Sequence, residues 1–275
     1  LMHSMSYLSL WTSYVDVFLS NKDKHNPSLT ISEANIALQN KTCQWSDYLG
    51  WIDVPESMTD EKIRQIQSHS HLIAQKSDVL IVCGIGWSYL GARALIEAFY
   101  STRKIDACEI VFLGNHLSGQ EYDKVFAQYR DKRVSACVIS KSGTTMETAI
   151  SYRLVRDFLL SKYTEEEVAS RIVVITDEKN GALRAETNKR WYVSYVLPSD
   201  VGGRYSVFTP VGLFPCAVAG IDIQKLIEWA RMAKKDILSD QYHTAFIYAE
   251  KRVALEQSGF VSELFITSEP SLYFI

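Results

Sequence analysis

From residue 79 onward the chain alternates between short apolar runs and longer segments whose apolar residues recur every three or four positions. The runs are Val79–Cys83, Glu109–Leu113, Val134–Ser140, Arg171–Thr176 and Tyr192–Leu197, each rich in Val, Ile or Leu. Runs this brief and this apolar predict strands buried on both faces of a parallel sheet. The intervening stretches Tyr89–Tyr100, Gln120–Arg130, Glu147–Tyr163 and Gly181–Arg190 carry the helical period. Strand–helix–strand alternation at this spacing predicts an α/β fold: a doubly wound, parallel five-stranded sheet with right-handed crossovers. Helical segments are expected at both ends. The first sixty residues read as helix and loop, with aromatic residues spread from Tyr7 to Phe18 and from Trp45 to Trp51. From about Thr209 the pattern is wholly helical, with Ile223–Leu238 and Thr244–Gln257 amphipathic. The expected domains are 1–60 (helix and loop), 61–205 (the sheet) and 206–275 (helices leading into a second domain).

In open parallel sheets ligands bind beyond the carboxyl ends of the strands, where the strand order reverses. The loops after Cys83 and Ile139 are therefore the candidates. The first, Gly84-Ile85-Gly86-Trp87-Ser88-Tyr89-Leu90-Gly91, lets the backbone turn tightly and aim helix amides at an anion. It is no dinucleotide fingerprint, because the third glycine falls at Tyr89, and no P-loop, because no Gly-Lys-Ser/Thr follows. An ordinary strand-to-helix turn is the plain alternative. The second, Ser140-Lys141-Ser142-Gly143-Thr144-Thr145-Met146-Glu147-Thr148, packs five hydroxyls, a glycine and a lysine into nine residues. A helix cap needs one or two hydroxyls; five at a helix start suit a phosphate. A third segment, Asp200-Val201-Gly202-Gly203-Arg204-Tyr205-Ser206, could aim the Arg204 guanidinium into the same cleft to stabilise an oxyanion. The plain alternative there is a surface arginine.

Charge narrows the field. A net charge of -3 without a concentrated basic face excludes nucleic acid as the expected partner, so an anion must be held by local donors. The five cysteines are scattered and form no CxxC pair, which fits reduced thiols and a reducing compartment. No apolar run approaches the roughly 20 residues of a membrane span, and no signal-peptide pattern opens the chain. A cytoplasmic protein with no membrane partner is expected. His69 and His71 lie two apart and face different ways on a helix, and no cluster has zinc spacing, so no metal is expected. The chain opens on Leu1 rather than methionine and closes on an apolar string, Ser-Leu-Tyr-Phe-Ile, which suggests that the natural chain continues.

Taken together, the segments resemble the glucose-6-phosphate isomerase family, in its shorter bacterial type. The resemblance rests on Ser46–Pro55, Gly84–Arg93, Ser140–Thr148, Asp200–Val207 and Ser268–Leu272. It implies an SIS-like phosphosugar-binding domain. It also implies cofactor-free interconversion of glucose 6-phosphate and fructose 6-phosphate through a cis-enediol, and a homodimer. Carried over by motif, Ser140, Ser142, Thr145 and Thr148 would hold the phosphate with help from the Lys141 amide. Gly86 and Ser88 would line the sugar, and Arg204 would stabilise the enediolate. Trp87 stands where the family has a further glycine. The family's proton-transferring glutamate, ring-opening histidine and late lysine lie beyond the segment matching Ser268–Leu272, and no position here matches them. The expectation is thus an isomerase fragment lacking its catalytic base, with a non-catalytic phosphosugar-binding module as the rival.

Overall fold

The computed structural model describes residues 10–20, 31–99, 108–239 and 243–274. Its helices, in chain order, begin with α1 (Ser13–Ser20), α2 (Ile31–Gln39), α3 (Val54–Ser57), α4 (Asp60–Lys76), α5 (Trp87–Ala98) and α6 (Gly119–Gln128). They continue with α7 (Met146–Leu160), α8 (Glu165–Arg171), α9 (Ala182–Arg190), α10 (Pro210–Val218), α11 (Ile223–Ser239) and α12 (Thr244–Gln257). The strands are β1 (Val79–Cys83), β2 (Glu109–Leu113), β3 (Val134–Ile139), β4 (Ile172–Thr176) and β5 (Val193–Val196). The chain divides into two units, Tyr48–Glu228 with Thr267–Ile275, and Leu1–Asp47 with Trp229–Ile266.

The first unit holds the sheet. All five strands are parallel in the order β2-β1-β3-β4-β5, with Val79 level with Val134 and Ala136 level with Ile172. Side chains alternate between the faces, so each strand feeds two cores. Leu80, Val82, Cys137, Ile139, Val173 and Ile175 face one core, with Ile63, Ile66 and Ile73 of α4 and Leu213 and Phe214 of α10. Ile81, Cys83, Val138 and Val174 face the other, with Tyr122 of α6, Val155 and Leu159 of α7 and Val168 of α8. Burial on both faces holds for β1, β3 and β4 but not for the edges: β2 and β5 are partly exposed. An edge strand lacks a neighbour on one side and is incompletely covered, which is why Glu109 and Ser194 are tolerated there.

Local chemistry sets the turns. Thr164 and Glu167 form a reciprocal capping box that starts α8. In α10 a side chain on Gly212 would place its Cβ 2.1 Å from the Val207 carbonyl oxygen, so only glycine lets that helix close on the preceding turn.

The second unit carries α1, α2 and α12. Phe18 meets Phe260 edge to face at 5.3 Å, and Lys251 pairs with Asp16 at 2.6 Å. Glu263 pairs with Arg252 at 3.0 Å. The wholly helical reading of the tail fails over residues 260–269, which form neither helix nor strand. Val261, Phe265 and Ile266 there favour extended backbone over helix.

Candidate functional site

β1 hands the chain to β2 on one side while β3 lies on its other side, so the strand order reverses between β1 and β3. The crevice opens there, between the loop after Cys83 and the loop after Ile139.

The loop after β3 is locked onto β4. The Ser140 amide donates to the Ile175 carbonyl at 3.1 Å, and the Thr176 hydroxyl donates to the Ser140 carbonyl at 2.7 Å. Ser140 Oγ accepts the Gly143 amide at 3.1 Å, and Ser142 Oγ accepts the Thr144 amide at 3.2 Å. Gly143 sits at φ +69°, and a Cβ there would lie 2.4 Å from the Leu183 nitrogen. Gly181, at φ +101°, would put a Cβ 2.5 Å from the Ser142 carbonyl oxygen. The two loops thus interlock backbone to backbone, an approach that only glycine allows. Thr145 stands at the N-cap of α7 without donating or accepting a cap bond, so no side chain caps the first amides of α7.

These contacts shape a cleft of about 530 Å³. Ser88 from the start of α5 lines it, together with Ser140, Lys141, Ser142, Thr145 and Thr148. Six of the eight residues that sequence reasoning selected therefore converge on one cleft. Thr148 is 3% exposed, and its hydroxyl oxygen is buried with no hydrogen-bond partner among the described residues. A buried hydroxyl without a partner costs about 1–3 kcal/mol, so it points to an acceptor arriving from outside. Lys141 turns its ammonium away: Nζ donates to the Ser199 carbonyl at 2.7 Å and reaches that of Val201 at 3.4 Å. Donors from this segment to the cleft are therefore hydroxyls and backbone amides, with no free cation.

Gly86 and Arg204 do not line the cleft. Gly86 caps α5 at φ +57°, and nothing lies within 4 Å of the Cβ it lacks. Backbone conformation rather than space accounts for that glycine. Trp87, 52% exposed, is also outside the lining; its Cβ lies 3.5 Å from where a Cβ on Gly203 would stand. Arg204 is exposed on the single turn Gly203–Tyr205 and makes no hydrogen bond or ion pair among the described residues. That turn is held by the Ser206 hydroxyl donating to the Gly203 carbonyl at 2.7 Å and by Tyr205 stacked on Trp51 at 5.0 Å.

Sequence reasoning missed Ile85 and the turn after β4, where Asp177, Asn180 and Gly181 complete the lining. Asp177 accepts the amides of Lys179 at 2.9 Å and Asn180 at 2.8 Å, and these bonds hold its carboxyl below the ordinary carboxylate value. The available signal was an Asp and a Gly four residues apart after a strand, which reads as any tight turn. Among the described residues no group of His, Cys, Asp and Glu could hold a metal ion, and no helix is long and apolar enough to cross a membrane.

Fold and cleft define a doubly wound parallel α/β protein with a cup of hydroxyls and amides at its switch point, bordered by the Asp177 carboxylate. The phosphoglucose isomerase family matches residues 57–245. The chain belongs to that family. A glucose-6-phosphate isomerase of Lactobacillus helveticus is 39% identical over 98% of this chain and 61% of its own length. One of Staphylococcus saprophyticus is 45% identical over 83% of this chain and 53% of its own length. The chain thus spans well under two thirds of these relatives. Among solved structures, a hypothetical protein of Thermus thermophilus superposes with TM-score 0.72 and 28% identity over 83% of this chain and 52% of that one. A glucose-6-phosphate isomerase from Chlamydia trachomatis gives TM-score 0.57 at 20% identity over 87% of this chain and 41% of that one, a likeness of fold.

Proposed function

We propose that this chain is the phosphosugar-binding part of a glucose-6-phosphate isomerase. In this reading its cleft receives the phosphate of glucose 6-phosphate or fructose 6-phosphate. The observation that carries the reading is the buried, unpartnered Thr148 hydroxyl at the uncapped start of α7, in a cleft ringed by Ser88, Ser140, Ser142 and Thr145. Hydroxyls and helix amides bind a phosphate without needing a cation, as the chain's mild negative charge requires. The sugar would extend toward Gly86 and Ser88. Arg204 has no competing partner among the described residues, and swinging it over the sugar would set a fixed charge against an enediolate.

The proton transfer between C1 and C2 belongs to no residue of this cleft. Its one carboxylate, Asp177, is tied to two backbone amides and held below its ordinary value, the wrong direction for a base working near neutrality. On this reading the chain supplies phosphate capture and charge stabilisation, and the catalytic base comes from outside it. Pairing with a second copy and a cytoplasmic location, implied by the resemblance, are part of the same proposal. A second reading, a phosphosugar-binding module that never isomerises, is favoured by the same Asp177 geometry.

Calorimetric titration with fructose 6-phosphate, with unphosphorylated fructose as control, tests the shared premise. Binding of only the phosphorylated sugar is expected; heat from neither ligand would refute both readings. A coupled isomerase assay then separates them, since measurable turnover excludes the module.

A further inference from the structure

Next to the cup lies a second cavity of about 510 Å³, lined by residues of α7 and α9. Ser140 and Thr148 border both spaces. Its far wall carries Arg153, Arg156 and Arg190 against Asp157 and Glu186. Arg190 is satisfied, with Nε on Glu186 and Nη1 on Glu165 at 2.7 Å. Arg156 keeps one open donor: Nη2 pairs with Glu165 and the guanidinium also bonds Tyr192, while Nε is buried with no partner among the described residues. Arg153 is exposed and makes no ion pair or hydrogen bond among the described residues, not even with Asp157 one turn on. The wall therefore has one guanidinium without an ion-pair partner, Arg153, and one orphaned charged donor, Arg156 Nε. Leaving such a donor unmet costs more than leaving a neutral one, and guanidinium forks match oxyanion geometry.

We propose that this cavity binds a second small oxyanion, a phosphate or carboxylate group, on Arg156 Nε and Arg153. The site is coupled to the cup through Thr148. The Thr148 hydroxyl has one proton and donates to one anion at a time. Anions in the two cavities therefore compete for it and also repel each other, so occupancy of either weakens the other by the same factor.

Equilibrium dialysis of the whole chain against inorganic phosphate counts the sites. Two phosphates per chain are expected, falling to one in Arg153→Ala/Arg156→Lys, which keeps a cation opposite Glu165 but removes Nε. Ser142→Ala/Thr145→Ala should remove the other phosphate. Saturating fructose 6-phosphate should leave one phosphate site, at least about fivefold weaker than in its absence. A single phosphate, removed by the serine/threonine pair and indifferent to the arginine pair, overturns the second site and leaves the cup standing. A single phosphate with the opposite dependence keeps the second site and removes the cup. Sites indifferent to both pairs, or no binding at all, overturn both. Unchanged circular dichroism melts in the variants exclude misfolding as the cause of a loss.

Discussion

Thr148 makes the most direct test at the scale of one residue. Its hydroxyl is buried beside the uncapped start of α7 and bonds to none of the described residues. Thr148→Val keeps the shape and removes only the hydroxyl. With no native bond to lose, the folded protein should be as stable as before or more so, by up to about 1 kcal/mol. Fructose 6-phosphate affinity should fall about tenfold, because a hydrogen bond to a charged acceptor is lost. A thermal melt and a titration on the same variant read the two effects; a large loss of stability would show that the hydroxyl has a structural role. Gly143→Ala should behave in the opposite way. The added Cβ meets the Leu183 backbone in a left-handed conformation, so at least about 2 kcal/mol of stability should go, with the cup distorted as well. The cup's residues were legible because five hydroxyls crowd one strand end, a local signal. The Asp177 turn and the arginine cavity were not. Arg153 and Arg156 read singly as solvated positions on a helix, and only the packing of α7 against the turn and helix that follow β4 brings them to Ser140.

At the scale of elements, apolar runs located all five strands to within a residue at either end, because burial between helix layers demands continuous Val, Ile and Leu. Helix ends drifted by up to three residues, as caps rather than periodicity decide them. Which strands sit at the edges was invisible from the runs themselves, since strand order is a property of the crossovers. β5 shows how an edge is secured. Tyr195 is buried on α4's side of the sheet, and its hydroxyl meets His69 Nδ1 at 2.7 Å. The pairing explains His69 as a structural contact rather than a ligand. Tyr195→Phe keeps the ring's packing and loses the bond, so it should cost about 1 kcal/mol in a denaturant titration with an unchanged m-value. No change in midpoint would mean that water replaces the tyrosine at no cost.

At the scale of the whole chain, stability is unevenly distributed. Every buried residue among those described lies between Leu49 and Ile227, within the unit built around the sheet. The described residues of the other unit, Leu1–Asp47 with Trp229–Ile266, contribute none; α2 and α12 bury no residue. Its segment Val261–Ile266 exposes Val261 at 87%, Leu264 at 84%, Phe265 at 79% and Ile266 at 86%. Ordering a residue costs about 1–2 kcal/mol in backbone entropy, and only burial offsets that on this scale. Helices without a buried face should therefore open at little cost, while the sheet opens only with global unfolding. Limited proteolysis separates the two behaviours, because cleavage follows the population of opened states when closing is fast. Early cuts should fall in α1, α2, α12 and residues 260–266, leaving a resistant piece close to 48–228. That piece should still bind fructose 6-phosphate, since every lining residue of the cup lies within it. First cuts between β3 and α7 would mean instead that the cup is the weak point of the fold and is ordered only by its ligand. In that case, adding fructose 6-phosphate should protect those bonds.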